Sequence, residues 1–438
     1  MEMSQDFSGK ASALALIPFL VFAVFYVGLS LAAGDFYKVP MTIAFLVASA
    51  TALSFGRGKL AERIEIYASG MGESNIMIMC LIFILAGAFA SVAKGSGAVD
   101  AAVAVARSLI PARLMLAGVF LVSCLVSLAI GTSCGTIAAV TPIALGFALP
   151  LGLSPALLAG AVVGGAMFGD NLSMISDTTI AATRTQGIAM REKFIANSAI
   201  VAPAALVCLF AYALVGYSNG TAVSAVAVSV TWRHLLLIMP YALILVLALI
   251  GLNVMLLLFA GTILASVIGA VLGKFDMWSV LDLIGKGALG MSETLIVAIL
   301  AGGMFRTIKA NGGISWLTEK ISRLVRGPRT CELGVFLLVS AVNLFTANNT
   351  VAIVIAGPVA KECSDKFGAS PARIASVLDT ASCVVQGIIP YGAQILIAAG
   401  VAKAAQVPFG SLELVKSLYY PPLLALAVLW AMLIPRKR

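Results

Sequence analysis

Apolar segments long enough to cross a lipid bilayer recur along this 438-residue chain, and they constrain its fold more than any other feature. A transmembrane helix needs about 20 predominantly apolar residues. Charged residues make up only 11% of the chain, against about 25% in soluble domains. The sequence therefore predicts an all-α polytopic membrane protein with about 10–12 membrane elements. The clearest apolar segments are 11–33, 39–55, 75–93, 114–130, 235–250, 252–272, 331–345 and 418–434.

Little of the chain is left over for anything outside the membrane, so we predict one transmembrane transporter domain over residues 1–438. The net charge of +9 comes from basic residues at the ends of apolar segments, as membrane topology requires, and does not indicate nucleic-acid binding. A single His and the absence of HExxH and phosphate-loop motifs argue against an enzyme. The seven cysteines form no CxxC pair, which argues against structural zinc.

The chain also contains an internal repeat. The pattern Gly-Met-x-Glu-Ser/Thr at Glu73 recurs at Glu293, 220 residues later, and Ser-Pro-Ala at Ser154 recurs at Ser370, 216 residues later. Matches in the same order at a nearly constant offset indicate a duplication, which is typical of secondary transporters. We predict N-terminal spans, repeat 1, connecting spans, repeat 2 and a C-terminal span, with the respective bounds 1–66, 67–195, 196–286, 287–405 and 406–438.

The charge distribution predicts that the two repeats have opposite orientations in the membrane. Residues 306–329 carry six basic residues against one acidic residue, whereas residues 94–113 carry three against one. The chain ends in three basic residues, 436–438. Because basic residues favour the cytoplasmic side, we expect residues 306–329 and both termini in the cytoplasm and residues 94–113 outside a plasma or bacterial inner membrane.

Each repeat contains polar breaks inside helix-like sequence. Residues 131–136 (GTSCGT) and 169–179 (GDNLSMISDTT) interrupt repeat 1, and residues 346–350 and 386–392 interrupt repeat 2. Unwound backbone at membrane depth is tolerated where it is buried or lines a cavity, and a membrane carboxylate indicates function. The sequence leaves open whether residues 131–136 form a hairpin tip or a hinge. The candidate cation- or substrate-binding residues are Thr132, Ser133, Asp170, Asn171, Ser173, Ser176, Asp177, Thr178, Asn348, Asn349, Asp379 and Gln386.

The aspartates are the strongest of these candidates. Asp170 and Asp177 are seven residues apart and would share one face of a continuous helix, so both are expected ligands of Na⁺. Glu73 and Glu293 follow glycines at expected helix starts, where helix initiation and function explain them equally well. His234 is expected at the membrane interface, so any proton coupling must use carboxylates.

Two of the breaks carry a family resemblance. Gly-Thr-Ser-Cys-Gly-Thr-Ile at 131–137, followed by residues 169–179, resembles the G-T-S-W-G-T and G-D-x-x-S-P-L-S-D-T-T patterns of the NhaC-type Na⁺/H⁺ antiporter family, part of the ion-transporter superfamily. The resemblance implies secondary active transport with alternating access, and it adds Thr179 to the polar site. Cys134 stands where the family has Trp, and Asp379 is the one carboxylate kept in the second-repeat stretch.

The same resemblance sets the expected ligands and partners. Na⁺ and/or H⁺ are the expected coupling ions, and no other cofactor is expected. The expected partners are the lipid bilayer and a small ion or small polar solute, without nucleic acid, and homodimer formation stays open. The alternative function is Na⁺- or H⁺-coupled transport of an amino acid or a small organic acid.

Overall fold

The computed structural model describes residues 10–33, 39–55, 58–109, 111–174, 176–219, 230–249, 252–407 and 409–433. Over these residues the regular structure is helical, and no strand occurs. Eight helical segments there are long and apolar enough to cross a membrane, and five shorter apolar helices accompany them. The predicted all-α polytopic fold is thus confirmed. The basic residues 436–438 and the N-terminal residues 1–9 lie outside the described residues.

The helices begin and end as follows. Two short 3₁₀ helices cover Ala13–Leu16 and Ala112–Leu114. The α-helices are α1 (Ile17–Ala33), α2 (Met41–Ser54), α3 (Leu60–Met71), α4 (Ser74–Ser96), α5 (Ala98–Leu109), α6 (Met115–Ile130), α7 (Ser133–Gly146), α8 (Ala148–Leu151), α9 (Pro155–Leu172), α10 (Asp177–Gln186), α11 (Met190–Asn219), α12 (Trp232–Leu249), α13 (Val254–Val271), α14 (Met277–Gly290), α15 (Ser292–Ala310), α16 (Gly313–Ser322), α17 (Pro328–Thr346), α18 (Asn349–Phe367), α19 (Pro371–Ile388), α20 (Ala393–Ala404), α21 (Ser411–Lys416) and α22 (Tyr420–Leu433).

The helices form two compact units, and each unit combines distant parts of the chain. Neither unit coincides with a predicted repeat: residues 67–80 and 181–188 of repeat 1 belong to unit 1, and residues 287–294 and 387–405 of repeat 2 belong to unit 2. Unit 1 contains Met1–Cys80, Ala181–Ile188 and Leu295–Gln386. Unit 2 contains Leu81–Ile180, Ala189–Thr294 and Gly387–Arg438.

In unit 2, α6 and α9 pack side by side and run in the same direction. Near the end of α6, the Ser127 hydroxyl donates to the carbonyl oxygen of Ala166 at 2.6 Å. Just beyond α9, the Ser173 hydroxyl donates to the carbonyl oxygen of Leu128 at 2.9 Å. Later residues of α6 therefore contact later residues of α9, which requires a parallel pair.

The helix α7, which lies between α6 and α9 in the sequence, runs in the opposite direction. It begins beside the end of α9, where the Ser133 hydroxyl lies 2.7 Å from the Asp170 carboxylate. Eight residues separate Gly146 at the end of α7 from Pro155 at the start of α9, and they reach about 30 Å at most. If α7 continued away from α9, the gap would be about 40 Å, given 1.5 Å per helical residue. Residues 131–136 therefore form the tip of a helical hairpin, with Gly131 left-handed at φ 74°.

In unit 1, α17, α18 and α19 repeat this arrangement. The Asn343 amide donates to the carbonyl oxygen of Ser382 at 2.6 Å, and these two residues stand 216 positions after Ser127 and Ala166. Left-handed residues recur at matching positions, so the duplicated sequence folds into two hairpins with the same turns. The matching pairs are Gly97 and Gly312, Gly131 and Ala347, and Gly152 and Gly368.

α10 and α20, which follow the two sets of three helices, belong partly or wholly to the other unit. Residues 181–186 of α10 belong to unit 1, where the Gln186 amide donates to the carbonyl oxygen of Gly357 in α18 at 3.0 Å. The whole of α20 belongs to unit 2, where the Gln394 amide donates to the Ser133 hydroxyl in α7 at 3.0 Å.

The close packing of α6 on α9 can be tested by adding one methyl group. A Cβ at Gly165 would lie 2.3 Å from the backbone oxygen of Phe120, whereas a Cβ at Gly285 in α14 meets no atom within 4 Å. We expect Gly165→Ala to destabilise the protein by about 1–3 kcal/mol through overpacking. Gly285→Ala is the control, and it should be neutral or stabilising because Ala favours helix over Gly. Thermal midpoints in detergent give the comparison, and equal midpoints for the two variants would contradict the packing.

Candidate cation site

The centre of the candidate site is the Asp170 carboxylate, which lies in the last turn of α9 and is 5% exposed. One oxygen, Oδ2, accepts the Ser133 hydroxyl at 2.7 Å and the Ser133 backbone N–H at 3.3 Å. The other, Oδ1, accepts the Ser176 hydroxyl from the break between α9 and α10. The carboxylate is therefore held by the hairpin tip on one side and by the helix break on the other.

Further oxygen atoms surround this carboxylate. The Ser176 hydroxyl also contacts the Thr178 hydroxyl at 2.8 Å. The Gln394 amide nitrogen donates to the Ser133 hydroxyl, while its oxygen, Oε1, is buried and has no hydrogen-bond donor among the described residues. Buried acceptors normally have a partner, so an acceptor without a donor close to a buried carboxylate is consistent with a bound cation.

A buried lysine on α11 contacts both sides of the break between α9 and α10. Lys193 is 1% exposed, and its ammonium donates to the backbone oxygen of Asn171 at 2.8 Å and to the Thr179 hydroxyl at 2.7 Å. The Asn197 amide donates to the same Asn171 oxygen at 2.7 Å. A positive charge at the C-terminal end of a helix is favourable, so Lys193 stabilises the end of α9 and fixes it to the start of α10.

The predicted residues of repeat 1 thus have different surroundings. Ser133 and Ser176 donate to the Asp170 carboxylate, and Thr178 contacts the Ser176 hydroxyl. The Asn171 amide instead donates to the Tyr420 hydroxyl at 3.3 Å. The Ser173 hydroxyl donates to Leu128 of α6, and the Thr179 hydroxyl donates to the Ser173 carbonyl oxygen at 2.8 Å. These two residues therefore stabilise the break between α9 and α10.

Two predicted residues lie at helix starts. Asp177 is exposed at the first position of α10, and its carboxylate accepts the Thr178 backbone N–H at 3.0 Å. It does not share a helix face with Asp170, because the helix is broken between them. Thr132 is half-buried before α7, and its carbonyl oxygen accepts the Thr136 hydroxyl at 3.0 Å. The described residues include no group of three or more His, Cys, Asp or Glu placed to hold a metal ion. Hydroxyl and amide oxygens would therefore have to supplement the carboxylate.

The predicted residues of repeat 2 lie together in unit 1. Gln386 stands 216 positions after Asp170, and its amide donates to the Ala347 carbonyl oxygen at 2.6 Å while Oε1 is buried with no donor among the described residues. Asn348 accepts the Val351 backbone N–H at 3.0 Å, and Asn349 accepts that of Thr350 at 3.1 Å. Repeat 2 therefore has a neutral amide where repeat 1 has its central carboxylate.

Asp379 is the buried carboxylate of unit 1, at 1% exposure, two helical turns before Gln386 on α19. Its counterpart at the 216-residue offset is Val163, so it has no equivalent in repeat 1. Among the described residues, Asp170 and Asp379 are the two buried acidic residues.

Lys193, Asn197 and Gln394 were not among the sequence candidates. Lys193 follows Arg191 and Glu192, so it reads as part of a charged interfacial segment. The available signal was its four-residue spacing from Asn197, which places the two polar side chains on one helix face inside a membrane span. Gln394 gives no such signal, since its partner Ser133 is 261 residues away.

A buried carboxylate at a broken helix, within duplicated helical hairpins and beside span-length apolar helices, defines a multi-pass secondary transporter. The family is set by comparison with known proteins. Residues 7–217 and 217–431 match the Na⁺/H⁺ antiporter family, and the chain belongs to that family.

Individual relatives agree with this assignment. The chain is 26% identical to the Na⁺/H⁺ antiporter NhaC of Bacillus subtilis (strain 168), with 85% of this chain and 88% of the relative covered. It is 24% identical to the Na⁺/H⁺ antiporter NhaC of Alkalihalophilus pseudofirmus, with 81% and 82% covered. The NhaC-type resemblance is thereby confirmed.

Two more distant similarities complete the comparison. The malate-2H⁺/Na⁺-lactate antiporter of Bacillus subtilis is 21% identical, with 75% of this chain and 76% of the relative covered. The crystal structure of the Alcanivorax borkumensis YdaH transporter is 17% identical, with 80% and 84% covered and a TM-score of 0.39.

The role of Lys193 gives a prediction. Lys193→Met removes the charged donor of two hydrogen bonds, while the Asn171 oxygen keeps its bond from Asn197. A hydrogen bond to a charged group is worth about 1.5–3 kcal/mol. We expect a lower thermal midpoint and a higher Na⁺ concentration at half-maximal transport, with Lys193→Arg intermediate between Met and wild type. Lys286→Met, at an exposed ion pair on α14, is the control and should leave both values unchanged. Wild-type Na⁺ dependence in Lys193→Met would rule out this role.

Proposed function

We propose that this protein exchanges Na⁺ for H⁺ by alternating access, with both ions competing for the Asp170 carboxylate. Its family and its two NhaC relatives support Na⁺/H⁺ exchange. They do not favour the alternative, amino-acid or organic-acid transport. The observation that carries the proposal is the buried carboxylate of Asp170, surrounded by the hydroxyls of Ser133 and Ser176 at a helix break.

The chemistry of these groups suits a small hard cation. A hydroxyl that donates its hydrogen to a carboxylate still keeps lone pairs on its oxygen, so Ser133 and Ser176 could hold Asp170 and coordinate Na⁺ together. Thr178 and the free amide oxygen of Gln394 would add further oxygen ligands. When Asp170 takes a proton instead, the site loses its negative charge and Na⁺ is released. One group that binds either ion thereby enforces exchange.

The position of repeat 2 that is equivalent to Asp170 is occupied by Gln386, so of these two positions only Asp170 can exchange Na⁺ for H⁺. Gln386 cannot take up a proton, so it would supply a fixed polar oxygen, together with Asn348 and Asn349. Asp379 is then the second carboxylate available for proton transfer, in unit 1.

The expected membrane arrangement follows from charge. We propose a bacterial inner or plasma membrane location with both termini in the cytoplasm and with the two repeats inverted. The homodimer also stays a proposal.

Substitution of the central carboxylate tests the function. Asp170→Asn keeps the size of the side chain but can neither carry charge nor take a proton. In proteoliposomes we expect it to abolish Na⁺-driven H⁺ movement, by at least about a hundredfold if the interaction lost is worth about 3 kcal/mol. Asp282→Asn, at an exposed ion pair in the same unit, is the matched control and should transport normally. Asp177→Asn should retain exchange with weaker Na⁺ affinity. Normal exchange by Asp170→Asn would refute the proposal.

Labelling of single cysteines tests the inverted orientation. Asp100 in α5 and Ser315 in α16 lie at corresponding positions of the two repeats, 215 residues apart. In a background without the seven native cysteines, a membrane-impermeant maleimide should label Asp100→Cys only from outside and Ser315→Cys only from the cytoplasmic side. Labelling of both from one side would contradict inversion.

A further inference from the structure

Unit 1 contains a cavity of about 390 Å³ that the ion-exchange site does not use. It is lined by the junction of α3 and α4, the last turns of α15 and the first turns of α18. Its size falls at the lower end of the range for small-molecule sites. Among its lining residues are three charged ones, Glu73, Arg306 and Lys309.

The two cations of this cavity have no ion-pair partner among the residues that the structure describes. Arg306 and Lys309 are three residues apart on α15, so they lie on one face of the helix. Both are half-buried, as is Glu73. Within the described part of the chain, none of these three side chains forms an ion pair within 4.0 Å. The cavity therefore holds two positive charges and one negative charge, all free to meet a ligand.

Comparison between the repeats shows that this lack of pairing is specific to the cavity. Glu293 is the sequence counterpart of Glu73, and in unit 2 it forms an ion pair with Lys403 at 3.0 Å. Glu73 has two basic residues around the same cavity and still forms no such pair. An unpaired charge in a partly buried position costs free energy, which a ligand of complementary charge would recover.

Three apolar side chains of α18 also line the cavity, and we call them its apolar wall. Val351 and Ile355 on α18 are half-buried, and Val354 between them is 52% exposed. The apolar wall therefore reaches the surface of the unit at Val354. A cavity lined both by cations and by apolar side chains, one of them exposed, matches an amphiphile rather than a simple ion.

We infer that this cavity binds the phosphate group of a phospholipid. Arg306 and Lys309 would hold the phosphate oxygens, because guanidinium and ammonium groups form strong charge-assisted hydrogen bonds with phosphate. Glu73 would accept a hydrogen bond from a hydroxyl or ammonium group of the headgroup. The acyl chains would leave the cavity along Val354. Basic pockets between membrane helices bind lipid headgroups in other proteins. Free phosphate shares the headgroup chemistry but gains nothing from the apolar wall.

Binding to the delipidated protein in detergent tests this inference. The ligands are phosphatidylglycerol and phosphatidylethanolamine in mixed micelles, diacylglycerol without a phosphate, and inorganic phosphate alone. We expect the two phospholipids to raise the thermal midpoint saturably, and diacylglycerol and inorganic phosphate not to do so. Arg306→Gln/Lys309→Gln should weaken the apparent phospholipid affinity by about tenfold or more, since one charged hydrogen bond is worth about 1.5–3 kcal/mol.

A matched double variant removes two exposed cations of the same unit, Lys320→Gln/Arg323→Gln at the end of α16, and should bind phospholipid as the wild type does. Equal losses in both double variants would show non-specific attraction to charge and overturn the inference. A saturable shift with inorganic phosphate alone would overturn the lipid assignment, and an equal shift with diacylglycerol would overturn the role of the phosphate. If Arg306→Gln/Lys309→Gln does not fold, Val354→Asp provides the test. It places a negative charge beside the expected path of the acyl chains, so it should weaken phospholipid binding, and unchanged phospholipid binding would overturn the inference.

Discussion

The Asp170 carboxylate is buried at the point where α9 breaks, and the surrounding structure depends on how its charge is stabilised. A carboxylate in a membrane protein is costly without partners. Here the hairpin tip supplies the Ser133 hydroxyl and backbone N–H, and the break supplies the Ser176 hydroxyl. The left-handed turn at Gly131 and the opposite direction of α7 bring these donors to the end of α9. Lys193 then holds the broken ends together without contributing a ligand oxygen.

Duplication provides the scaffold twice, and the two copies differ in charge. The contacts between the parallel helices are kept at a 216-residue offset, as Ser127 with Ala166 and Asn343 with Ser382 show. At the same offset Asp170 becomes Gln386. The same arrangement of broken helices thus occurs in both halves, whereas a titratable carboxylate occurs at one of the two equivalent positions.

Sequence alone predicted the helical class, and it named Asp170, Ser133 and Ser176 as candidates in two polar breaks, because apolar span length and polar residues inside spans are local signals. It did not predict that the two serines contact Asp170. It did not predict the direction of α7, which depends on the contact between Ser133 and Asp170. It placed Asp177 on the same helix face as Asp170, because a continuous helix was assumed. The helix is broken between them, so the periodicity does not apply. It missed Lys193, whose burial is a property of packing. It missed Gln394, whose contact spans 261 residues.

The central claim is that Na⁺ and H⁺ compete for one carboxylate, and the proton count of Na⁺ binding tests it most directly. Calorimetric titration of the purified protein with Na⁺ is repeated in buffers of different ionisation enthalpy near the pH at which half of the sites are protonated. Competition predicts an apparent enthalpy that varies with the buffer, with up to one proton released per Na⁺ bound, and predicts that Asp170→Asn abolishes this release. An apparent enthalpy that is independent of the buffer, with Na⁺ still bound, would contradict the account.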